Sequence, residues 1–219
     1  MIVTIDGPAG AGKSSAARAL ARRLDFRFLD TGAMYRAVAL AAMQRDLAGE
    51  DADALVHLAR DLDIRVSEDQ VLVDGHDVTR EIRTMAVTSA TRFAANNPGV
   101  RAILVGLQRA AAAGLNVVTE GRDQGTVVFP NAECKFFLTA GAEERAKRRM
   151  KDLAARGEHV AYALVLAQQE ARDRQDCSRA VGPLVPACDA IEIPTDGLTP
   201  EQVVDRLEQL ARERLRLEK

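Results

Sequence analysis

Residues 7–14 read Gly-Pro-Ala-Gly-Ala-Gly-Lys-Ser, a complete match to the pattern G-x-x-x-x-G-K-[ST]. The preceding residues 2–6 alternate β-forming side chains, and residues 13–24 are rich in Ala, Arg and Leu with helical spacing. Glycines allow a tight turn that aims backbone N–H groups at phosphate oxygens, and the N-terminus of a helix adds positive charge. The segment therefore predicts a phosphate-binding loop between a strand and a helix.

Two side chains of this loop carry specific chemistry. Lys13 would reach the β- and γ-phosphates of a nucleoside triphosphate, and the Ser14 hydroxyl would ligate the Mg²⁺ that bridges them. The predicted nucleotide-binding residues are Gly7, Pro8, Ala9, Gly10, Ala11, Gly12, Lys13, Ser14 and Ser15. The same loop serves GTPases, helicases and small-molecule kinases, so it does not decide the reaction. The sequence has no N-K-x-D guanine-reading motif, which argues against a GTPase.

Strands and helices are predicted to alternate along the rest of the chain. The further predicted strands are 26–29, 62–66, 71–73, 115–119, 134–138 and 190–193; the further helices are 33–47, 51–60, 84–95, 98–113, 142–156, 160–177 and a C-terminal helix. Alternation of this kind favours an α/β fold with a parallel sheet covered on both faces. Ligands of such sheets bind beyond the carboxyl ends of the strands. The two short strands near residue 70 indicate a small hairpin-like insert.

Composition limits the class of protein. With 47% hydrophobic and 28% charged residues the chain is of ordinary globular type, and its formal net charge of −2 gives no general attraction to nucleic acid or anionic membranes. The first residues already form a strand pattern, which leaves no room for an export signal. Its three cysteines form no C-x-x-C pair, and its three histidines lack metal-ligand spacing. They are Cys134, Cys177, Cys188, His57, His76 and His159. We expect a cytoplasmic protein without a zinc site.

A second candidate anion site follows the second predicted strand, where residues 30–36 read Asp-Thr-Gly-Ala-Met-Tyr-Arg. Thr31 and Arg36 would lie at the same sheet edge as the loop, and a guanidinium there can donate two parallel hydrogen bonds to a phosphate. On these residues alone, a helix N-cap at Thr31 and a solvated Arg36 explain the pattern better.

Residues 7–14 followed by 30–36 resemble the cytidylate kinase family, and the similarity continues through most of the chain. Four further blocks match in order: 81–84, 98–101, 120–130, and 172–181 with Pro183-Leu184 following. Matches in this order rarely arise by chance. The resemblance implies an ATP-dependent kinase that uses Mg²⁺ and phosphorylates CMP and dCMP. It implies one P-loop kinase domain over 1–219, with an acceptor-binding insert at about 60–95 and a helical lid at about 145–160, and it suggests a monomer.

The resemblance also assigns roles to side chains. It places cytosine at groups corresponding to Arg101 and Asp123, with a helix hydroxyl for which Thr91 is the candidate. Asp can accept from the exocyclic amine of cytosine, while Arg donates to the ring acceptors. The implied substrate-binding residues are Thr31, Arg36, Arg101, Arg122, Asp123, Arg172, Asp176 and Arg179; the implied catalytic residues are Lys13, Arg122 and Arg172.

Within the implied set, Arg36 and Arg122 would hold the acceptor phosphate, while Arg172 and Asp176 would lie near the pentose. Arg179 would lie on the base or phosphate side. The arginines of segment 143–150 would close over the ATP phosphates or form a solvated amphipathic helix.

Structural roles remain open for these charged residues. Arg122 and Asp123 would also suit a strand-end ion pair, and Arg172, Asp176 and Arg179 have the spacing of a salt-bridged helix face. Glu120 would orient Mg²⁺ through water or serve only the structure around it. A kinase of AMP, UMP or shikimate is the alternative within the class, and a P-loop ATPase switch is the alternative outside it.

Overall fold

The computed structural model describes residues 1–155, 157–158 and 160–216. His159, whose isolation from metal-ligand spacing was predicted, lies outside the described residues, and the predicted lid at about 145–160 lies only partly within them. The chain divides into two compact units, Met1–Phe26 with Asn116–Lys219 and Arg27–Leu115. The predicted acceptor-binding insert lies within the second unit.

The predicted strands and helices all occur in the predicted order, together with one short strand, His76–Asp77, that was not predicted. They are β1 (Ile2–Asp6), α1 (Lys13–Leu24), β2 (Arg27–Asp30), α2 (Thr31–Gln44), α3 (Ala52–Asp61), β3 (Ile64–Val66), β4 (Val71–Val73), β5 (His76–Asp77), α4 (Met85–Asn96), α5 (Pro98–Ala112), β6 (Val117–Glu120), β7 (Cys134–Thr139), α6 (Ala142–Ala154), α7 (Tyr162–Cys177), β8 (Ile191–Pro194) and α8 (Pro200–Leu215). A 3₁₀ turn spans Glu81–Arg83, and a π-helical turn spans Gln124–Val128. Neither turn was predicted.

The first unit contains four parallel strands. β1 lies between β6 and β7, and β7 pairs with β8. Because these strands are parallel, their carboxyl ends meet at one edge, where Ile5 aligns with Glu120 and Asp6 with Phe137. The predicted α/β fold with a parallel sheet is confirmed.

Apolar side chains from both strands and helices fill the core of the first unit. Val3 and Ile5 of β1 are fully buried, as are Leu20 of α1 and Leu207 of α8, and α1 packs against α8. Alternate residues of a strand point to opposite faces, so a strand buried along its length has helices or loops on both sides. This sheet therefore holds the residues at its carboxyl edge on a rigid base.

The second unit is mainly helical. α2 packs against α4, α3 packs against α5, and β3, β4 and β5 form an antiparallel sheet. The predicted hairpin therefore has a third strand, which the two-residue His76–Asp77 segment is too short to indicate in the sequence. Within the described residues, no helix is both long enough and apolar enough to cross a membrane.

Candidate active site

The loop after β1 has the backbone geometry that its glycines predict. Gly7 has a φ of 145°, and a Cβ there would overlap the carbonyl oxygen of Leu138, so no other residue fits. Gly12 has a φ of 89° and precedes α1, which no side chain of the described residues caps. The N–H groups of an uncapped first turn, together with the helix dipole, favour an anion.

Lys13 begins α1 and is buried, with 5% of its surface exposed. Its Nζ donates to the carbonyl oxygen of Pro8 at 2.7 Å. Burial, followed by the charges of Arg122 and Arg172, lowers the pKa of Lys13 to about 7, although Glu120 and Asp6 act in the opposite direction. The positive charges of Lys13, Arg122 and Arg172 therefore repel one another, and a bound polyanion would reduce this repulsion.

Ser14 and Glu120 form the oxygen-rich part of this site. The Ser14 hydroxyl donates to Oε1 of Glu120 at 3.0 Å, and Glu120 is buried at the carboxyl end of β6. Hydroxyl and carboxylate oxygens are ligands that Mg²⁺ prefers, directly or through water. The described residues contain no cluster of three or more His, Cys, Asp or Glu side chains placed to hold a metal ion. A site with few protein ligands is compatible with Mg²⁺, because this ion keeps several water ligands and binds substrate phosphates.

Arg122 directly follows β6 and pairs with a carboxylate from α7. Its Nε donates to Oδ2 of Asp176 at 2.8 Å, and Arg179 also forms an ion pair with Asp176. Burial alone would raise the pKa of Asp176, but Arg122 and Arg179 hold it below its ordinary value. Burial would likewise lower the pKa of Arg122, yet Asp176 raises it. Three of the predicted substrate residues therefore form one charged network, in which Asp176 is buried and the two arginines are partly buried.

The remaining predicted residues of the first unit lie close to this network. Arg172 is exposed on α7, and its charge contributes to the lowered pKa of Asp176. Asp123 is buried and immediately precedes the π-helical turn, which is closed by a hydrogen bond from Phe129 N to Gln124 O at 2.7 Å. Such turns occur often at functional sites. Arg179 lies just beyond the end of α7 rather than on it.

Two arginines of α6 contact the carbonyl groups of the phosphate-binding loop. Arg145 donates to Ala9 O at 3.1 Å, and Arg148 donates to Ala11 O at 3.5 Å and to Thr195 O at 2.6 Å. Sequence reasoning expected these arginines over the ATP phosphates or in solvent. In the structure they hold the loop from its carbonyl side, and their place over the ATP phosphates stays a prediction.

In the second unit, Asp30 forms ion pairs with two arginines. Arg36 donates to both carboxylate oxygens of Asp30 at 3.1 Å, and Arg83 lies 3.7 Å from Oδ2. Asp30 also caps α2, accepting from Ala33 N at 2.9 Å. The N-cap is therefore Asp30, and the expectation that Thr31 caps this helix is wrong. Thr31 is the first residue of α2 and is buried.

The predicted base-reading arginine is also in the second unit. Arg101 on α5 is buried, and its guanidinium group donates to Ala95 O at 3.3 Å. Its guanidinium carbon lies 5.6 Å from the centre of the Tyr35 ring. The hydroxyl of Thr91 donates to Val87 O at 2.7 Å, one helical turn earlier. The structure thus holds Arg101 in an ordered position and engages the Thr91 hydroxyl with the backbone.

Sequence reasoning missed several residues that shape these sites. Asp6 ends β1 with 4% of its surface exposed, and both its carboxylate oxygens accept backbone N–H groups. An acidic residue completing a buried strand directly before the glycine-rich loop was the available signal. Arg83 lay within a matched block without an assigned role, and Arg145 and Arg148 gave no sign of contacting carbonyl groups.

Within the part of the chain that the structure describes, the three cysteines, His57 and His76 lie outside the sites above. Cys134 is buried in β7, and burial raises the pKa of its thiol to about 12. Cys177 and Cys188 are exposed, and Nδ1 of His76 bonds to the carbonyl oxygen of Asp74. A thiol with so high a pKa is not a nucleophile near neutral pH.

Comparison with solved structures supports the fold. The chain is similar to a shikimate kinase from Bacteroides thetaiotaomicron, with a TM-score of 0.51 and 13% identity over 97% of this chain and 98% of that one. It is similar to a gluconokinase from Sinorhizobium meliloti, with a TM-score of 0.50 and 15% identity over 98% and 94%. These likenesses show a P-loop kinase fold.

Comparison of sequences gives a closer relationship. The chain is 49% identical to a cytidylate kinase of Rhodopirellula baltica over 97% of this chain and 93% of the relative, and 50% identical to one of Pelotomaculum thermopropionicum over 92% of both. It is 48% identical to one of Geobacter sp. strain M21 over 98% and 94%. The family model described as cytidylate kinase matches residues 3–213, which include the loop, the Arg122 network and the Asp30 cluster. On both the residues of its sites and the extent of this match, the chain belongs to the cytidylate kinase family.

Proposed function

We propose that this protein transfers the γ-phosphoryl group of ATP to CMP and dCMP, giving the diphosphate and ADP. The observation that carries the proposal is the position of the buried Lys13 near Arg122 and Arg172: burial, and after it the charges of the two arginines, lowers the pKa of the lysine. Like charges are brought together at a cost, which the negative charge of two phosphorylated substrates would offset. The family membership supports the same activity.

The donor would bind at the phosphate-binding loop. Backbone N–H groups of residues 7–14 and the Lys13 ammonium would hold the β- and γ-phosphates. Ser14 directly, and Glu120 through water, would hold Mg²⁺, consistent with the 3.0 Å contact between them. When bound, Mg²⁺ neutralises charge on the phosphate oxygens and orients them.

The acceptor would be recognised at both ends. Arg36 and Arg122 would bind its phosphate, and Arg101 and Asp123 would read cytosine. Arg172 and Asp176 would lie near the pentose, Arg179 would lie on the base or phosphate side, and Thr31 would support the phosphate. Uracil lacks the exocyclic amine that Asp123 would accept from, which gives a physical reason for preferring cytosine.

Transfer needs positioning and charge neutralisation more than a base. The acceptor phosphate is already anionic near neutral pH, so in-line attack requires no proton removal and no covalent intermediate. Lys13 and the arginines would supply positive charge that is already in place. Closure of a lid at about 145–160 would exclude water, which otherwise accepts the phosphoryl group.

A panel of acceptors tests the proposal. With ATP and Mg²⁺, kcat/KM for CMP should exceed that for UMP, AMP and shikimate. Equal or better use of one of these would support the alternative kinase, and hydrolysis of ATP independent of any acceptor would support an ATPase switch.

A substitution at Asp123 tests the base-reading role. Asp123→Ala should raise the KM for CMP about tenfold or more and leave the KM for ATP little changed. The matched control is Asp61→Ala, which removes an exposed carboxylate at the end of α3. A defect specific to ATP would refute the role.

We further propose that the protein acts in the cytoplasm as a monomer on small-molecule substrates, without a nucleic-acid or membrane partner. The modest net charge of −2 supports the absence of nucleic-acid binding. Gel filtration with light scattering tests the monomer.

A further inference from the structure

We propose that Asp6 is a positioning residue for acceptor recognition: its two carboxylate oxygens hold the π-helical turn whose preceding residues are Arg122 and Asp123. This inference rests on the proposed function and adds a residue that contacts neither substrate in it. Asp6 acts through the backbone of the turn.

The geometry is that of a two-pronged clamp. Oδ1 of Asp6 accepts from Gln124 N at 2.9 Å, and Oδ2 accepts from Gly125 N at 2.8 Å. The two donors belong to consecutive residues, so the carboxylate fixes the two successive peptide groups at the start of the turn. Hydrogen bonds to an ionised acceptor are roughly twice as strong as neutral ones.

The turn lies close against β1. A Cβ on Gly125 would lie 3.0 Å from Oγ1 of Thr4 and 3.4 Å from Oδ2 of Asp6, so the absence of a side chain permits this approach. From the other side, the Gln124 side chain accepts from the Thr119 hydroxyl at 3.0 Å. Asp123 is joined directly to Gln124 and must move with it.

The charges around Asp6 fit an ionised clamp at neutral pH. The pKa of Asp6 is raised to about 6, mainly by burial and in part by the charge of Asp123. The two backbone N–H groups and Lys13 act in the opposite direction. The carboxylate therefore carries a charge in buried surroundings, where an aliphatic side chain would be expected if only packing mattered. The two backbone N–H groups that the carboxylate holds explain why an acidic residue occupies this buried position.

The test is the isosteric change Asp6→Asn. Asparagine offers one acceptor oxygen, and its amide group would face the second N–H as a donor, so one bond is lost and the turn is displaced. The KM and the Kd for CMP should rise about 10- to 100-fold, the range for loss of one hydrogen bond to a charged group. The KM for ATP should change less than about threefold.

The matched control is Asp51→Asn. Asp51 caps α3 with one oxygen, accepting from Ala54 N at 3.0 Å, and asparagine caps a helix equally well. Its kinetic constants should equal those of the unsubstituted protein.

A second variant tests the clamp without changing its charge. Gly125→Ala places a methyl group against Thr4 and Asp6 and should raise the KM for CMP about threefold, again with little effect on ATP. Its control is Gly106→Ala in α5, where a Cβ meets nothing within 4 Å. If Asp6→Asn does not fold, Gly125→Ala alone decides.

The outcomes separate this inference from the proposed function. Failure of the unsubstituted protein to phosphorylate CMP rejects the proposed function. CMP activity with an unchanged KM for CMP in Asp6→Asn and Gly125→Ala rejects the positioning role. An equal rise in the KM for ATP also rejects it, because Asp6 would then act through the phosphate-binding loop.

Discussion

Lys13 is surrounded by groups that disfavour its charge. Its pKa falls to about 7 because it is buried near Arg122 and Arg172, while Pro8 O accepts one of its hydrogen bonds. A lysine kept only for packing would gain nothing from such neighbours. The cost of burying it is understandable if an anion binds there.

Lys13→Ala should lower kcat by about 10²- to 10³-fold, because a group that stabilises charge in the transition state is lost. The fold should persist, since removing the ammonium also removes its repulsion with Arg122. Steady-state kinetics with CMP and a circular dichroism spectrum measure the two effects. Near-normal turnover would remove Lys13 from the phosphate site.

Asp6 should make stability depend on pH. Its pKa is about 6 in the folded protein and 3.8 as the ordinary value, so the folded state retains a proton that the unfolded state releases between these values. Asp6 therefore costs no stability below about pH 3.8, and the cost grows as pH rises until it reaches about 3 kcal/mol above pH 6.

In Asp6→Asn this dependence should be absent. The free energy of unfolding of the variant, relative to the unsubstituted protein, should rise by about 3 kcal/mol between roughly pH 4 and pH 7. Urea titrations at several pH values measure the difference, and Asp51→Asn provides the control. A difference that stays constant with pH would show that Asp6 has an ordinary pKa in the folded protein.

At the scale of elements, α6 and α7 are connected to the phosphate-binding loop through one side chain. Arg145 of α6 donates to Ala9 O of the loop and to Ala140 O, and it pairs with Asp173 of α7 at 2.7 Å. Its side chain is 6% exposed. The helix that carries Arg172 and Asp176 is thereby linked to the loop that would bind ATP.

Arg145→Met should lower the free energy of unfolding by about 2–4 kcal/mol, because it removes these contacts and leaves Asp173 partly buried without its cation. The KM for ATP should rise with it. Denaturant titration and kinetics measure the effects. Arg65→Met removes an ion pair between Arg65 and Asp63, whose side chains are 73% and 52% exposed, and it should leave the free energy of unfolding nearly unchanged. Equal losses in both variants would contradict the linking role.

The elements themselves were largely predictable. Hydrophobic periodicity and the loop motif gave β1, α1 and the alternation of strands and helices, because these depend on residues near one another in the chain. The π-helical turn at Gln124–Val128 was not predictable in this way, since Asp6 holds it from 118 residues away. Two-residue β5 is formed by pairing with β4, and its own sequence carries no strand pattern.

At the scale of the whole molecule, the sequence identified which residues are charged and where the loop lies, but not how charges pair. Sequence reasoning considered Arg122 beside Asp123 or on the acceptor phosphate, and it did not predict the ion pair that Arg122 forms with Asp176, 54 residues away. Pairing across that distance depends on the fold, which composition and spacing do not encode. The contributions of the predicted site residues to catalysis stay predictions.

Ligand binding should stabilise the molecule according to which residues hold each ligand. At about 100 times its Kd, a ligand that binds only the folded state adds about 2.7 kcal/mol. In a chain of this size that corresponds to a rise in Tm of about 5–10 °C.

A non-hydrolysable ATP analogue with Mg²⁺ should raise the Tm of the unsubstituted protein and of Asp123→Ala, but raise that of Lys13→Ala far less at the same concentration. CMP should show the opposite preference, and UMP should give a smaller rise than CMP because it lacks the amine. Differential scanning fluorimetry measures the shift in Tm for each ligand with each protein. Equal shifts by the ATP analogue and CMP in both variants would show that Lys13 and Asp123 do not belong to separate donor and acceptor sites.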